Sequence, residues 1–533
     1  MARRLFVGLV SLLLLLALAL SVSSAQDDRP IVVTWWSEPS NVDIHSFGTD
    51  GDSDARLMLY APLIRRASHE GPYPNTWVSA SGEYVGALAE SWDVDDAAGT
   101  VTFHLRPDAK FASGNPITAE DVRWTVERGF LSPTSYMSAL MPLGGIPDAD
   151  HVEVVDDHTV KFTTASGVTP MFYELLSIVN MSILDKNAIL EHATDDDPYA
   201  TEWLPLNAAP SGPYTLTQAE PGVEFDFAPN PNYYDAASVH NSGIIFKIIP
   251  TAADRLLLLR SGELDVLRGV PYSEVDALKQ EEGIQVLVYP STDQRAIALN
   301  NNIPPFDNEK VRQAIAYAIP YDDIIQTVWS GYASPMHSIV PEGMPTFDGS
   351  VWHYDTDPDM ARQLLAEAGY PDGFETSLFT RADNQDDQAT AVLVQDALRE
   401  IGVTVNIESL TSGAYAARQF GDRDMPMHFF DWISYVNDPF YHFNWLMRCG
   451  QGTNYANYCN PDADTLIDEG LTETDPDRRA EISHQLQQMH ADSATWIYLS
   501  QPNSITAMRS DIQGWTEAPD RIANYWTLYR SGS

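Results

Sequence analysis

The chain is short of positive charge. Its 31 Lys and Arg stand against 75 Asp and Glu, giving a formal charge of −44 at pH 7, and only six of the cations are lysine. Such a deficit repels polyanions, so nucleic acid and anionic membrane surfaces are excluded as partners. Acidity with scarce lysine fits either adaptation to salt or an ordinary acidic exported protein, and composition leaves both open. Cysteine is as scarce, with Cys449 and Cys459 alone. In an exported chain two neighbouring cysteines are expected to form one disulfide that clamps a short loop. A metal site would want more ligands, and His442 is the only histidine near them. The signatures of hydrolases are also missing. There is no Gly-x-Ser-x-Gly elbow, no His-Glu-x-x-His helix and no thiol left to react. Among 75 carboxylates close acidic pairs arise by chance and do not point to a glycosidase. The chain therefore reads as a non-enzyme with no cofactor and no metal.

A long apolar run occurs once, from Leu5 to Leu20. Arg3 and Arg4 precede it, and Ser23-Ser24-Ala25 follows with the small residues that a signal peptidase reads. Residues 1–25 are thus expected to be a secretory signal. The run is short for a span of about 20 residues, which favours cleavage over retention as an anchor. No cysteine follows it to carry a lipid. The expected location is outside the cytoplasm, periplasmic or associated with the cell surface.

What remains is too long for one compact core and suits two or three domains. At 44% apolar and 11% aromatic it is no disordered chain. Val32 to Trp35 reads as a strand, as do Val101, Phe103 and Leu105 with their polar alternation. Thr118 looks like a helix N-cap with Asp121 at N3. Asp307 is expected to cap a helix carrying Val311, Ala314, Ile315 and Ala318 on one face. Asp357 caps another, with Pro358 at N1 and Gly369 at its end. A helix within 388–401 ends at Gly402, and Val403, Val405 and Ile407 alternate as a strand. Ile482, Leu486 and Met489 mark a late helix. Interleaved strands and helices make the class α/β. Two acidic runs, Asp50 to Asp54 and Asp355 to Asp359, lack the glycine and glutamate of a calcium loop.

These pieces, in order, resemble a known family. Ala87-Leu-Ala-Glu90-Ser-Trp92, Thr102 to Pro107, Thr118-Ala-Glu-Asp-Val122, Ser211-Gly-Pro-Tyr214, Asn230-Pro-Asn-Tyr-Tyr234 and Gly262-Glu-Leu-Asp265 are similar to the family 5 extracellular solute-binding proteins. Pro305-Phe-Asp307 through Ile315, and Leu364 to Phe374, continue the series. These are receptors of peptide, oligopeptide and nickel ABC importers. The resemblance implies a large two-lobed periplasmic-binding-protein fold of the cluster C type, with an interlobe ligand cleft. It implies lobe I at 26–290 plus 497–533, in two subdomains, and lobe II at 291–496. The expected partners are a small solute, peptide or sugar, and the permease subunits of an ABC transporter. The protein is expected to act as a monomer.

The resemblance also marks a site. Ser37-Glu38 stands where peptide binders hold the ligand backbone, and Asp431 to Pro439 resembles the opposite wall, with Trp432, Tyr435, Asn437 and Asp438 as candidate contacts. Peptide binders commonly place Asp three residues after that Trp, to pair with the ligand's amino group. Here the position is Tyr435, and a phenol cannot replace a carboxylate facing an ammonium. Either Asp438 or Glu38 takes over, or the ligand has no free amino terminus. Trp35, Trp36, Tyr441 and Trp445 add aromatic surface suited to sugars or apolar side chains.

Overall fold

The computed structural model describes residues 29–531 apart from Trp36 and Glu38. The expected signal segment and the candidate Glu38 lie outside the described residues. Two sheets dominate. The first has seven strands in the order Ile284–Tyr289, Ser504–Arg509, Val266–Arg268, Ile31–Thr34, Ile244–Lys247, Glu224–Pro229 and Tyr214–Glu220. Its central strand, Ile31–Thr34, is buried at every residue and pairs in parallel on both sides, which is why it is apolar without alternation. The second has six strands in the order Ala333–Pro335, Trp496–Pro502, Gln294–Leu299, Met427–Trp432, Glu375–Arg381 and Thr404–Leu410.

The chain passes between these sheets twice, at residues 290–293 and at Asn503. The crossings are tied together: Ser291 Oγ donates to the Pro502 carbonyl at 2.7 Å, and Gln501 Nε2 donates to the Ser291 carbonyl at 2.6 Å. The second crossing therefore falls at Asn503 and not before residue 497. Trp496–Pro502, buried throughout, pairs with Gln294–Leu299 and so belongs to the second lobe. A four-stranded antiparallel sheet, Ala89–Asp95, Thr100–Leu105, Thr159–Thr163 and Val152–Asp156, stands apart from these two.

Local signals explain most helix starts. The Asp121 carboxylate accepts from the Thr118 N–H at 2.9 Å, closing the first turn of Ala119–Leu131. Asp357 accepts from the N–H groups of Asp359 and Met360 at the start of Pro358–Glu367, and Gly369 follows in the left-handed region at φ 92°. Helix Gln385–Glu400 ends before Gly402, and Pro476–Ser493 is the late helix. One cap is shifted by a residue. Asn308, not Asp307, accepts from the Lys310 N–H at 3.0 Å and opens Glu309–Ala318. Cys449 and Cys459 are joined as a disulfide. Among the described residues no helix is long and apolar enough to cross a membrane.

Candidate functional site

The strand Met427–Trp432 runs antiparallel to Gln294–Leu299, with Trp432 opposite Gln294 and Asp431 opposite Arg295. Beyond Trp432 the chain leaves the sheet and reaches the first lobe. Three hydrogen bonds then join the lobes. The Tyr435 hydroxyl donates to Asp50 Oδ1 at 2.6 Å, Arg66 Nη2 donates to the Tyr435 carbonyl at 2.9 Å, and the Asn437 N–H donates to Glu174 Oε2 at 3.2 Å. Arg66 is itself held by Glu174 at 2.9 Å and Asp520 at 2.6 Å. Burial and the neighbouring Asp50 push the Tyr435 phenol well above its usual pKa, so it stays a donor. The lobes are closed on each other, and one buried apolar cluster runs from Phe103 in the first to Phe440 and Trp496 in the second.

Within this segment several buried polar atoms have no partner among the described residues. They are Trp432 Nε1 and both side-chain atoms of Asn437, a residue only 4% exposed. An unmade hydrogen bond of this kind costs about 1–3 kcal/mol. The Trp432 ring lies tilted on Tyr441, centroids 5.9 Å apart, and Tyr441 meets the edge of Trp445 at 6.4 Å. Tyr441 and Trp445 thus continue an aromatic wall. Trp35 does not join it, being buried beneath the Arg268 guanidinium at 3.8 Å, and Trp36 lies outside the described residues.

Two expected contacts have other work. Asp438 caps the helix Pro439–His442 by accepting from the Phe440 N–H at 2.9 Å, and it pairs with Arg479 at 2.9 Å in a buried site. Its carboxylate therefore holds the segment in place. Ser37 Oγ accepts from the Gly51 N–H at 2.9 Å and so supports the first turn of helix Asp50–Leu59. That turn presents Asp50 to Tyr435. The first lobe's side of the site accordingly rests on Asp50, a member of the acidic run whose calcium-loop reading fails. Asp52 closes a capping box with Thr49, and Asp54 pairs with Arg268.

From Asp50 a chain of ion pairs runs along the closure. Arg521 bridges Asp50 at 3.4 Å and Asp293 at 2.9 Å, and Arg295 bridges Asp293 at 2.7 Å and Asp431 at 3.3 Å. Arg381 bonds Asp431 at 2.9 Å and approaches Asp387 at 4.0 Å. Burial would raise the Asp431 carboxyl, but Arg295 and Arg381 outweigh it and hold the pKa below the usual range. Asp387 goes the other way, pushed up to about 7 by burial and by Asp431. The folded protein thus keeps a proton that the unfolded chain has already lost between about pH 4 and 7. Stability from this group falls as pH rises through that window and stays low above it. Asp387→Asn is expected to raise the urea midpoint of the unliganded protein at pH 8, by about 2 kcal/mol in stability, with the gain vanishing near pH 4. An equal effect at both pH values would exclude this titration.

A cavity of about 460 Å³ opens within the first lobe, lined by Trp77, Tyr234 and Trp526 and also by Arg66 and Asp520, which take part in the closure. A ligand held by one lobe gains nothing from closure. Sequence reasoning missed Asp50, Arg66, Glu174 and Arg521, which come from distant parts of the chain.

Comparisons with known proteins bear on the family and the fold. Residues 83–454 match the family described as Bacterial extracellular solute-binding proteins, family 5 Middle. The chain is 31% identical over 455 residues to the Probable D,D-dipeptide-binding periplasmic protein DdpA of Escherichia coli (strain K12), covering 84% of this chain and 85% of that one. It is 26% identical over 463 residues to Heme-binding protein A of Haemophilus influenzae, covering 81% and 82%. Its fold matches the ABC transporter-associated periplasmic binding protein DppA from Helicobacter pylori in complex with peptide STSA, at TM-score 0.79 and 24% identity over 94% of this chain and 98% of that one.

Proposed function

Because this chain belongs to the family 5 bacterial extracellular solute-binding proteins, we propose that it is the exported receptor of an ABC importer, closing its two lobes over a small solute and passing it to the permease. The observation that carries the site is the segment Trp432 to Asn437, which leaves the second lobe's sheet, bonds Asp50, Arg66 and Glu174 of the first lobe, and still presents unpaired Trp432 and Asn437 atoms. Solute contacts on both lobes favour the closed state by their differential free energy. Binding requires no covalent step, which fits the missing catalytic motifs.

The solute is of peptide-like size and polarity, in line with relatives named for D,D-dipeptides and peptides, while heme in another relative's name shows how far ligands diverge on this fold. Tyr435, committed to Asp50, gives no carboxylate to a free amino terminus. A melting-temperature screen of free and N-blocked di- to pentapeptides, glutathione and oligosaccharides tests the reading. One class is expected to respond, since ligand at 100 times its Kd adds about 2.7 kcal/mol. Hydrolysis of a peptide or glycoside with no stabilisation by any class would overturn it.

A further inference from the structure

Each lobe carries a large excess of acidic residues, so closing one on the other brings like charges together. Bonds between the lobes offset that cost. Of the three that cross just beyond Trp432, two take only main-chain groups from the second lobe, the Tyr435 carbonyl and the Asn437 N–H. Almost any residue at those positions would supply them. The third depends on the side chain, because it is the Tyr435 hydroxyl that donates to Asp50 Oδ1 at 2.6 Å.

Each end of this bond is positioned by its own lobe. Asp50 opens helix Asp50–Leu59, whose first turn is held by Ser37 Oγ on the Gly51 N–H and by the capping box of Thr49 and Asp52. Tyr435 stands in a segment pinned by the Ser434 hydroxyl on the Val436 carbonyl and by Asp438 on Arg479. Little freedom is then lost when the two groups meet, and a bond to a charged acceptor keeps most of its strength. It also leaves Trp432 Nε1 and both side-chain atoms of Asn437 unpaired. The lobes are thus joined without consuming the polar atoms that the interlobe reading assigns to the solute.

Resting on that interlobe reading, we propose that Tyr435 and Asp50 form a latch, a bond of the protein's own that stabilises the closed form whether or not solute is bound. Its effect on binding follows from populations. A solute retained in the closed form binds with an apparent Kd equal to the intrinsic value divided by the closed fraction. The latch raises that fraction and touches no solute, so it tunes retention and leaves selectivity to other residues. A residue that contacts solute acts differently, because its loss costs one class of solute more than another.

The test uses ligand-free protein, unfolded in guanidinium and refolded to strip any co-purified solute. Gly167 of the first lobe approaches the second so closely that a Cβ on it would lie 3.1 Å from Thr474 Cγ2. Ala97→Cys and Asp477→Cys place spin labels at exposed positions on the two sides of that contact, and the native cysteines are paired and do not react. Double electron–electron resonance should find the short, closed distance dominant. Tyr435→Phe should lower the ratio of closed to open about tenfold, the worth of one bond to a charged acceptor. Hydrogen exchange across Trp432 to Asn437 should speed up by the same factor, which keeps the effect visible where the closed form is nearly complete. Asp50→Ala should open the lobes at least as far, and the double variant no further than Asp50→Ala alone. A dominant open distance in the protein without Tyr435→Phe would overturn the latch. So would a Tyr435→Phe variant that changes neither distance nor exchange. The melting screen of the receptor reading does not depend on Tyr435, so that reading stands or falls separately.

Discussion

Arg128→Met is expected to lower stability by about 3–5 kcal/mol. Arg128 and Asp43 form a bidentate pair, Nη1 to Oδ1 at 2.9 Å and Nη2 to Oδ2 at 2.7 Å, with neither side chain exposed at all. Arg128 also donates through Nε to the Tyr199 carbonyl at 3.2 Å and lies 3.0 Å from His45 Nδ1. The pair ties the segment after the first strand to helix Ala119–Leu131. Burial would raise the Asp43 carboxyl, but Arg128 outweighs it and holds the pKa low; burial and Arg128 lower His45 to about 3, keeping it neutral. Without Arg128 the carboxylate is stranded in a medium that disfavours it and must take up a proton. The depressed Asp43 pKa contributes stability above the unfolded value of about 4. That contribution is already complete at pH 5, but in the variant the stranded carboxyl must hold its proton as pH rises, so loss of the arginine should hurt more at pH 8 than at pH 5. Urea melts with an unchanged slope would measure this. The double variant Asp43→Leu/Arg128→Met should recover most of the loss, because two apolar side chains leave no charge unpaired. A single-variant loss under about 1 kcal/mol would show that the pair is not dry.

Trp432→Ala is expected to weaken solute binding by about 2 kcal/mol, roughly thirtyfold, the usual cost of removing an aromatic anchor. The ring is held from behind by Tyr441 and His442 and is partly accessible in front. Its Nε1 has no acceptor among the described residues. Trp432→Phe should recover the apolar part alone, because phenylalanine keeps much of the ring area and lacks the donor. The measurement is titration with whichever solute stabilises the protein. Unchanged affinity in Trp432→Ala would remove this residue from the site.

Local chemistry made much of the chain readable. Thr118 with Asp121, Asp357 with Pro358, and the glycines at 369 and 402 mark helix ends through bonds or backbone angles that span at most a few residues. Asp307 was misplaced by one position because Asp and Asn cap equally well and stand side by side. The ordered motifs between Ala87 and Phe374 carried the family, in agreement with the matched span 83–454. The C-terminal crossing was not readable. Trp496–Pro502 and Ser504–Arg509 are both buried strands, and only their pairing partners show that they belong to different sheets.

The site divides the same way. The sequence by itself determined the fold class and the family, through motifs of residue types at short spacing, and the resemblance to that family named the stretch from Trp432 to Asn437 as a candidate wall. Tertiary structure decided which of those side chains have partners. Asp438 turns to Arg479, 41 residues away. Tyr435 finds Asp50 across 385 residues, and Arg521 finds Asp50 across 471. Of these, only the bond from Tyr435 to Asp50 joins the two lobes, and none of the three is encoded by a local pattern. Whether a carboxylate caps a helix, neutralises an arginine or waits for a solute depends on what burial places within about 3 Å of it, and that is a property of the closed molecule.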